Sequence, residues 1–313
     1  MATMETSASS ASNHEALANS RRTRNSWLLS LPAVLLLLIG ASGPLLVLLV
    51  CSFLEPGDYG GVIWKPGIEA WFKTIFSDGI GGDAIQLADA HLLIFWRSVK
   101  VSLLTVLVTF ALGFPTAYFI ATRPRPQRTV WLFLITIPFW SSLLIRTIAI
   151  LEMIRGEGVI NTLAIWIGFI DQPMQMLHTE GAVLLGMAYV YLPLMVLPLH
   201  ASIERFDFRL LEAGYDLYAN RWQVFRRIVL PLAGPGIVAG SILVFVSSLG
   251  AYVTPRVLGG DESAMIASLI GYQFSQAENW PLGAALAILL LAAVAIVLVI
   301  FIRTLCAERA DDR

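Results

Sequence analysis

Residues 210–235 read LLEAGYDLYANRWQVFRRIVLPLAGP, a charged stretch between long apolar runs. Charged side chains in this stretch and just before it recur every three or four residues, at Arg205, Arg209, Glu212 and Asp216. On a helix this spacing places them in one stripe. Residues 219–221 break this spacing, residues 222–229 predict a second short helix, and Pro231 and Pro235 mark the return to apolar sequence. The stretch predicts a helix–turn–helix that lies in water beside a membrane.

The composition is that of an integral membrane protein. Hydrophobic residues make up 57% of the chain and charged residues 14%, whereas soluble proteins average about 25% charged residues. Mean hydropathy is +0.73. The net charge of −1 argues against nucleic acid as a partner. We therefore expect an all-α protein whose first partner is the lipid bilayer.

Six apolar runs approach the roughly 20 residues that a helix needs to cross a bilayer: 27–53, 101–120, 130–151, 181–199, 236–255 and 282–302. The first run follows three arginines and has a cleaved signal peptide as its alternative. It is too long for a signal core of about 7–15 residues, so we predict an uncleaved span. Residues 159–170 are too few to span and predict an interfacial or re-entrant segment.

The connecting segments predict the orientation. Arginines are concentrated before span one, between spans two and three, between spans four and five, and after span six, whereas the other loops contain fewer cations. The positive-inside rule places both termini and residues 201–235 in the cytoplasm, against a mild disagreement from Arg97 and Lys100. The predicted organisation is a disordered tail at 1–26, a membrane domain at 27–305 that includes the 201–235 loop, and a short tail at 306–313. In the first external loop, residues 68–76 predict an amphipathic helix on the membrane surface, or alternatively a partner contact.

Catalytic signatures are missing from the sequence. There is no phosphate-binding loop, no metal-binding spacing of His or Cys residues, and no nucleophile motif. We expect neither catalytic residues nor a metal or other cofactor in this chain, so ATP hydrolysis, if it drives the protein, must take place on a partner.

Four residues in the spans are candidates for a substrate pathway: Trp140, Glu152, Tyr189 and Tyr252. An ionisable group within a span is rare, and aromatic faces can bind a cation. The alternative is structural pairing for Glu152 and an interfacial aromatic belt for the rings. Prolines inside spans two, three and four favour kinked helices, which suit both transporters and static bundles.

The central stretch is similar to the cytoplasmic signature of the membrane subunits of bacterial ABC importers. That pattern is Glu-Ala-Ala, three residues, Gly, nine residues, Ile, one residue, Leu-Pro, and five positions match: Glu212, Ala213, Ile228, Leu230 and Pro231. Gly214 replaces a small residue, and Tyr218 stands where the family has glycine. If the backbone keeps the left-handed conformation at this position, a tyrosine there is strained. The alternative is that the left-handed residue of the turn is Asn220, since asparagine tolerates this conformation.

GEGVIN at 156–161 and GAYVTPRVLGG at 250–260 extend the resemblance to the spermidine/putrescine permeases. The resemblance implies a type I importer fold in the bacterial inner membrane, with a second permease subunit, two ATPase subunits that carry ATP and Mg²⁺, and an external binding protein. It implies that the coupling residues are Glu212, Ala213, Gly214, Asp216, Tyr218, Ala219, Asn220, Arg221, Ile228, Leu230 and Pro231. Other solutes such as opines or thiosulfate, an ion-driven secondary transporter, and a structural membrane protein stay open as alternatives.

Overall fold

The computed structural model describes residues 32, 34–36, 38–40, 42–57, 60–78, 85–87, 89–207, 209–260 and 263–311. The predicted disordered tail at 1–26 lies outside these residues. The described α-helices are α1 (Val34–Ser52), α2 (Glu69–Ile75), α3 (Asp89–Ala121), α4 (Arg125–Thr136), α5 (Leu143–Ile154), α6 (Val159–Trp166), α7 (Glu180–Ile203), α8 (Arg209–Asp216), α9 (Arg221–Val224), α10 (Leu230–Leu249), α11 (Ile266–Ser275) and α12 (Trp280–Asp311).

Within the described residues, five helical segments are long and apolar enough to cross a membrane: Val34–Ser52, Ala90–Ala121, Glu180–Ile203, Arg221–Leu249 and Trp280–Arg303. A bent pair of segments, Arg125–Trp140 and Leu143–Trp166, makes a sixth if it is counted as one span. The predicted all-α membrane fold with six spans is therefore confirmed, with the third span in two pieces.

The third span is not the continuous helix predicted at 130–151. Helix α4 tightens into a 3₁₀ turn at Ile137–Trp140, and the next segment departs at 95°. Pro138 lies in that turn, and Ser141 and Ser142 are extended, with ψ of 153° and 140°. Two extended residues after a proline end the helical hydrogen-bond ladder, so the chain changes direction there.

The fifth span begins earlier than predicted. The second short helix expected at 222–229 is the start of one continuous segment, Arg221–Leu249, rather than a separate element. A π-turn at Phe225–Val229 joins α9 to α10. Pro231 and Pro235 do not interrupt this segment: Pro231 lies in the first turn of α10, and Pro235 lies inside the same helix.

Helices α3, α7 and α10 form the centre of the bundle. Their shared core includes Ile120, Met195, Leu199 and Val244, all fully buried. At Gly236, an added Cβ would lie 2.5 Å from Ser202 Cβ and 2.8 Å from the Pro198 carbonyl oxygen. The small residue therefore allows α10 to approach the backbone of α7 closely.

The first long loop contains the helix predicted at 68–76, observed as α2, together with two short antiparallel strand pairs that the sequence did not predict. Strands β1 (Leu54–Pro56) and β2 (Val62–Pro66) pair with each other, as do β3 (Phe76–Asp78) and β4 (Ile85–Leu87). Trp71 of α2 packs against Phe53, with ring centroids 5.9 Å apart. The loop lies beside the start of α12, where Gly61 N–H donates to the Glu278 carbonyl at 3.0 Å.

Arg97 and Lys100, which disagreed with the charge rule, have a partner at this end of the bundle. Glu180 at the start of α7 lies 3.7 Å from Arg97 Nε and 3.2 Å from Lys100 Nζ. The two cations, in the third turn of α3, therefore help to join the N-terminal part of that helix to the first turn of α7.

Candidate functional site

The candidate site is the helix–turn–helix of residues 209–229, called the docking loop below. Helix α8 ends in a Schellman motif, in which Ala219 N–H donates to the Gly214 carbonyl at 3.2 Å and Tyr218 N–H donates to the Tyr215 carbonyl at 2.9 Å. This motif requires a left-handed residue at its centre, and Tyr218 has φ of +58°. The glycine-type conformation is thus kept with a tyrosine in place, at a cost of about 1–2 kcal/mol.

The turn does not shift to Asn220. That residue has φ of −76° and caps the next helix through a capping box. Asn220 Oδ1 accepts from Gln223 N–H at 2.8 Å, and Gln223 Oε1 accepts from Asn220 N–H at 2.9 Å. The two helices are therefore joined by a turn whose hydrogen bonds fix both ends.

Gly214 explains the close approach of the two helices. An added Cβ would lie 2.8 Å from Ile228 Cδ1 and 3.4 Å from Val224 Cγ2. Leu211 and Val224 are buried beside it. One face of the loop is thus packed into the protein, and the other is left for solvent or a partner.

The outer face of the docking loop is unusually apolar for a solvent-facing turn. Leu217 is 82% exposed, Tyr218 97% and Trp222 65%. Among the described residues, the charged side chains around them are exposed and form no ion pair: Glu212, Asp216, Arg221, Arg226 and Arg227. An apolar centre with a charged rim is the arrangement of a protein interface.

The remaining residues of the predicted signature occupy both faces. Ala213 and Pro231 are exposed, whereas Ala219, Ile228 and Leu230 are half-buried and pack against the core. The structure therefore brings the signature together in one loop, with some members exposed and others supporting them.

Aromatic contacts connect the exposed face to the membrane bundle. Trp222 stacks on Phe225 with ring centroids 5.6 Å apart, and Phe225 meets Phe114 of α3 edge-on at 5.4 Å. A mainly apolar cavity of about 320 Å³ adjoins these rings and is bounded by Tyr118 and Tyr215. Trp222 is therefore in contact with α3 through the ring of Phe225.

Arg128 is a residue that the sequence reasoning did not single out. Its Nη1 donates to Glu204 Oε1 at 2.7 Å, and its Nη2 donates to the carbonyls of Ala121 and Arg123 at 2.8 and 3.2 Å. It thus joins the first turn of α4 to the last turn of α3 and to the end of α7, just before the docking loop. The only signal in the sequence was its place in a run of arginines.

The four substrate-pathway candidates lie in four separate parts of the chain: the 3₁₀ turn after α4, α5, α7 and the segment just after α10. Trp140 is 85% exposed at the bend before α5, and Glu152 forms an exposed ion pair with Arg155 at 3.0 Å. Tyr189 of α7 lines a cavity of about 180 Å³, and Tyr252 hydrogen-bonds to Arg256. No hydrogen bond, ion pair or ring contact joins any two of these four described residues, so their assignment stays a prediction. Among the described residues there is also no cluster of three potential metal ligands.

Arg146, an ionisable residue in the predicted third span, lines the same cavity as Tyr189. Its guanidinium lies 5.4 Å from the centre of the Phe139 ring. Its Nε and Nη1 are buried without a hydrogen-bond partner. This cavity is where an intramembrane charge and an aromatic side chain come together.

Comparison with known proteins gives the family. Residues 26–312 match the model of the binding-protein-dependent transport system inner membrane component family. The chain is 35% identical over 260 residues to the spermidine/putrescine transport system permease protein PotB of Salmonella typhimurium (strain LT2), a match that covers 83% of this chain and 86% of that protein. It is 38% identical over 207 residues to PotB of Escherichia coli (strain K12), covering 66% and 75%.

A solved structure shares the fold. It is a bacterial alginate ABC transporter in complex with an alginate pentasaccharide-bound periplasmic protein, with a TM-score of 0.68 at 17% identity, covering 90% of this chain and 94% of that one. Together with the six apolar segments, these matches show that the chain belongs to the binding-protein-dependent transport system inner membrane components and is a permease subunit of an ABC importer.

Proposed function

We propose that this permease subunit serves an importer of polyamines such as spermidine and putrescine. Support for the substrate comes from the PotB relatives, which are named for these solutes and match most of this chain. Support also comes from the chemistry of the first long loop, where carboxylates outnumber cations: Glu55, Asp58, Glu69, Asp78, Asp83 and Asp89 against Lys65 and Lys73. Such a loop attracts a polycation to the mouth of the pathway.

The observation that carries the mechanism is the exposed apolar centre of the docking loop. We propose that one ATPase subunit binds the docking loop of this chain. A second ATPase subunit binds the corresponding loop of a second permease subunit. Tyr218 and Trp222 present large apolar areas that water does not favour, and a partner cleft would cover them. The charged rim, including Glu212 and Arg226, sets the orientation of the bound partner.

In this mechanism, closure of the ATPases around ATP displaces the docking loop. Phe225 passes that displacement to Phe114 of α3, and α8 passes it to α7 through the short connection at 204–207. Because α3, α7 and α10 share one core, they move together and the pathway changes the side to which it opens. ATP and Mg²⁺ are held by the ATPases, and this chain supplies no catalytic group.

The distribution of arginines supports one orientation of the chain across the membrane. The docking loop and both termini lie in the cytoplasm, and the loop of residues 54–87 faces the external binding protein. Residues 27–305 form the membrane domain, with 201–235 as its cytoplasmic coupling segment. In a bacterium this places the chain in the inner membrane.

The test is uptake of labelled spermidine by vesicles that contain this chain, the second permease and the ATPases. The proposal predicts uptake only with ATP on the ATPase side and the binding protein on the opposite side. Uptake driven by an ion gradient without the ATPases would overturn it. Binding-protein-dependent uptake of another solute, with spermidine excluded, would overturn the substrate assignment alone.

A further inference from the structure

We infer that Arg128 is a positioning residue that couples the docking loop to the broken third span. This inference rests on the proposed coupling function, and it concerns a contact outside the family signature. Its basis is the set of three hydrogen bonds that one guanidinium makes to three chain segments.

The first of these bonds reaches the end of α7, just before the docking loop. Glu204 is the C-terminal cap of α7, and five positions later the chain enters α8 at Arg209. Arg128 Nη1 lies 2.7 Å from Glu204 Oε1, and the Arg128 side chain is only 18% exposed. The Glu204 side chain is 48% exposed, so water reaches one side of this short charge-assisted bond, but the enclosed guanidinium leaves it less screened than a pair exposed on both sides. The second Glu204 oxygen lies 3.9 Å from Nδ1 of the buried His200.

The other two bonds hold the end of α3. Arg128 Nη2 donates to the Ala121 and Arg123 carbonyls, which belong to the last turn of α3 and the residues just after it. Carbonyls at a helix C-terminus have no partner within the helix, so a cation there both caps the helix and complements its dipole. The planar guanidinium serves these acceptors and Glu204 together, which a single ammonium group does less well.

Helix α4 depends on this contact because little else holds it. None of its residues is fully buried. Trp131 contacts Phe119 edge-on at 5.5 Å, and Leu132 and Ile135 lie against the core only in part. Arg128 thus provides the polar bond between α4 and α7, and a displacement of the docking loop reaches α4 and the 95° bend that follows it.

The functional test compares Arg128→Gln with Arg125→Gln in the reconstituted complex. Arg125 lies on the same helix, is exposed and forms no ion pair among the described residues, so both variants remove one positive charge from the same segment. We expect Arg128→Gln to raise the ATP hydrolysed per spermidine imported at least fivefold, with ATP hydrolysis itself reduced less than twofold. Arg128→Lys should fall between Arg128→Gln and the wild type. An equal ratio in Arg128→Gln and Arg125→Gln overturns the inference.

A distance measurement tests the inference without any substrate. Spin labels at Thr129→Cys on α4 and Ala201→Cys on α7, both exposed positions, are introduced after Cys51 and Cys306 are replaced by Ser. In the assembled complex, we expect one narrow distance distribution with Arg125→Gln and an additional longer distance with Arg128→Gln. Identical distributions overturn the inference. If the wild-type complex imports no spermidine, the substrate proposal fails, while this distance comparison still decides the role of Arg128.

Discussion

Replacing Tyr218 separates the two roles that the structure gives this residue. Its backbone occupies a left-handed conformation, and its ring is almost entirely exposed on the docking loop. Tyr218→Ala removes the ring and keeps the strained backbone. Tyr218→Gly removes the ring and also relieves the strain, so the pair of variants separates side chain from backbone.

The magnitude follows from the exposed area. Burying about 150 Å² of a tyrosine ring at about 25 cal/mol per Å² contributes roughly 4 kcal/mol, less about 1 kcal/mol for ordering the side chain. Tyr218→Ala should therefore weaken ATPase binding by about 2–3 kcal/mol, or about 30- to 150-fold. Tyr218→Gly should lose about the same contact, while the free docking loop becomes more stable by about 0.5–1 kcal/mol, since the relieved strain exceeds the added backbone entropy.

The assay is the affinity of the purified ATPase for the detergent-solubilised permease, with thermal unfolding of each variant as the folding control. Wild-type affinity in both variants would refute the burial of the ring. A lower unfolding temperature for Tyr218→Gly than for Tyr218→Ala would refute the assignment of backbone strain.

Three further predictions concern the same end of the bundle. Gly236→Ala should destabilise the protein by about 1–3 kcal/mol in thermal unfolding, because the added Cβ meets the backbone of α7. Gly234→Ala is the control: nothing lies within 4 Å of its added Cβ, so it should be neutral or stabilising by up to about 1 kcal/mol. Asn220→Ala should cost about 1 kcal/mol and speed amide exchange in α9, and unchanged exchange would contradict the capping role. Glu212→Ala and Asp216→Lys should insert normally yet reduce transport-coupled ATP hydrolysis, and normal uptake by both would contradict the assignment of the charged rim.

Hydropathy predicted the membrane segments well where a helix is continuous. The runs at 101–120 and 181–199 fall inside α3 and α7, because continuous apolar sequence of that length has few other stable structures in a bilayer. Hydropathy says nothing about breaks, however. Pro115 and Pro193 lie inside unbroken helices, whereas Pro138 lies at the 95° bend, and the difference depends on the extended residues that follow it.

The docking loop was readable from sequence because its determinants are local. Tyr218 stands where the family pattern has glycine, and this difference indicated a position at which the backbone conformation mattered. The structure shows that the left-handed turn is retained there. The start of the fifth span was misplaced, since the polar residues of α9 hid the continuity of the helix. The two strand pairs of the first loop are short, and no alternating pattern marked them.

Arg128 could not be found from sequence because its partners are remote or generic. Glu204 is 76 positions away, and the other acceptors are backbone carbonyls that every residue carries. Arg123 and Arg125 precede it closely in the sequence, so retention on the cytoplasmic side was a sufficient explanation for the charge. Arg128 differs from the nearby arginines only in its place in the fold, where α3, α4 and α7 meet.

The most direct test of the account is photocrosslinking at the docking loop of the assembled, transporting complex. A photoreactive residue replaces Leu217 in one variant and Trp64 in another; the two side chains are 82% and 84% exposed at opposite ends of the bundle. We predict that the Leu217 probe crosslinks to the ATPase and that the Trp64 probe does not. An ATPase crosslink from Trp64, or none from Leu217 while transport is active, would contradict the assignment of residues 209–229 as the coupling site.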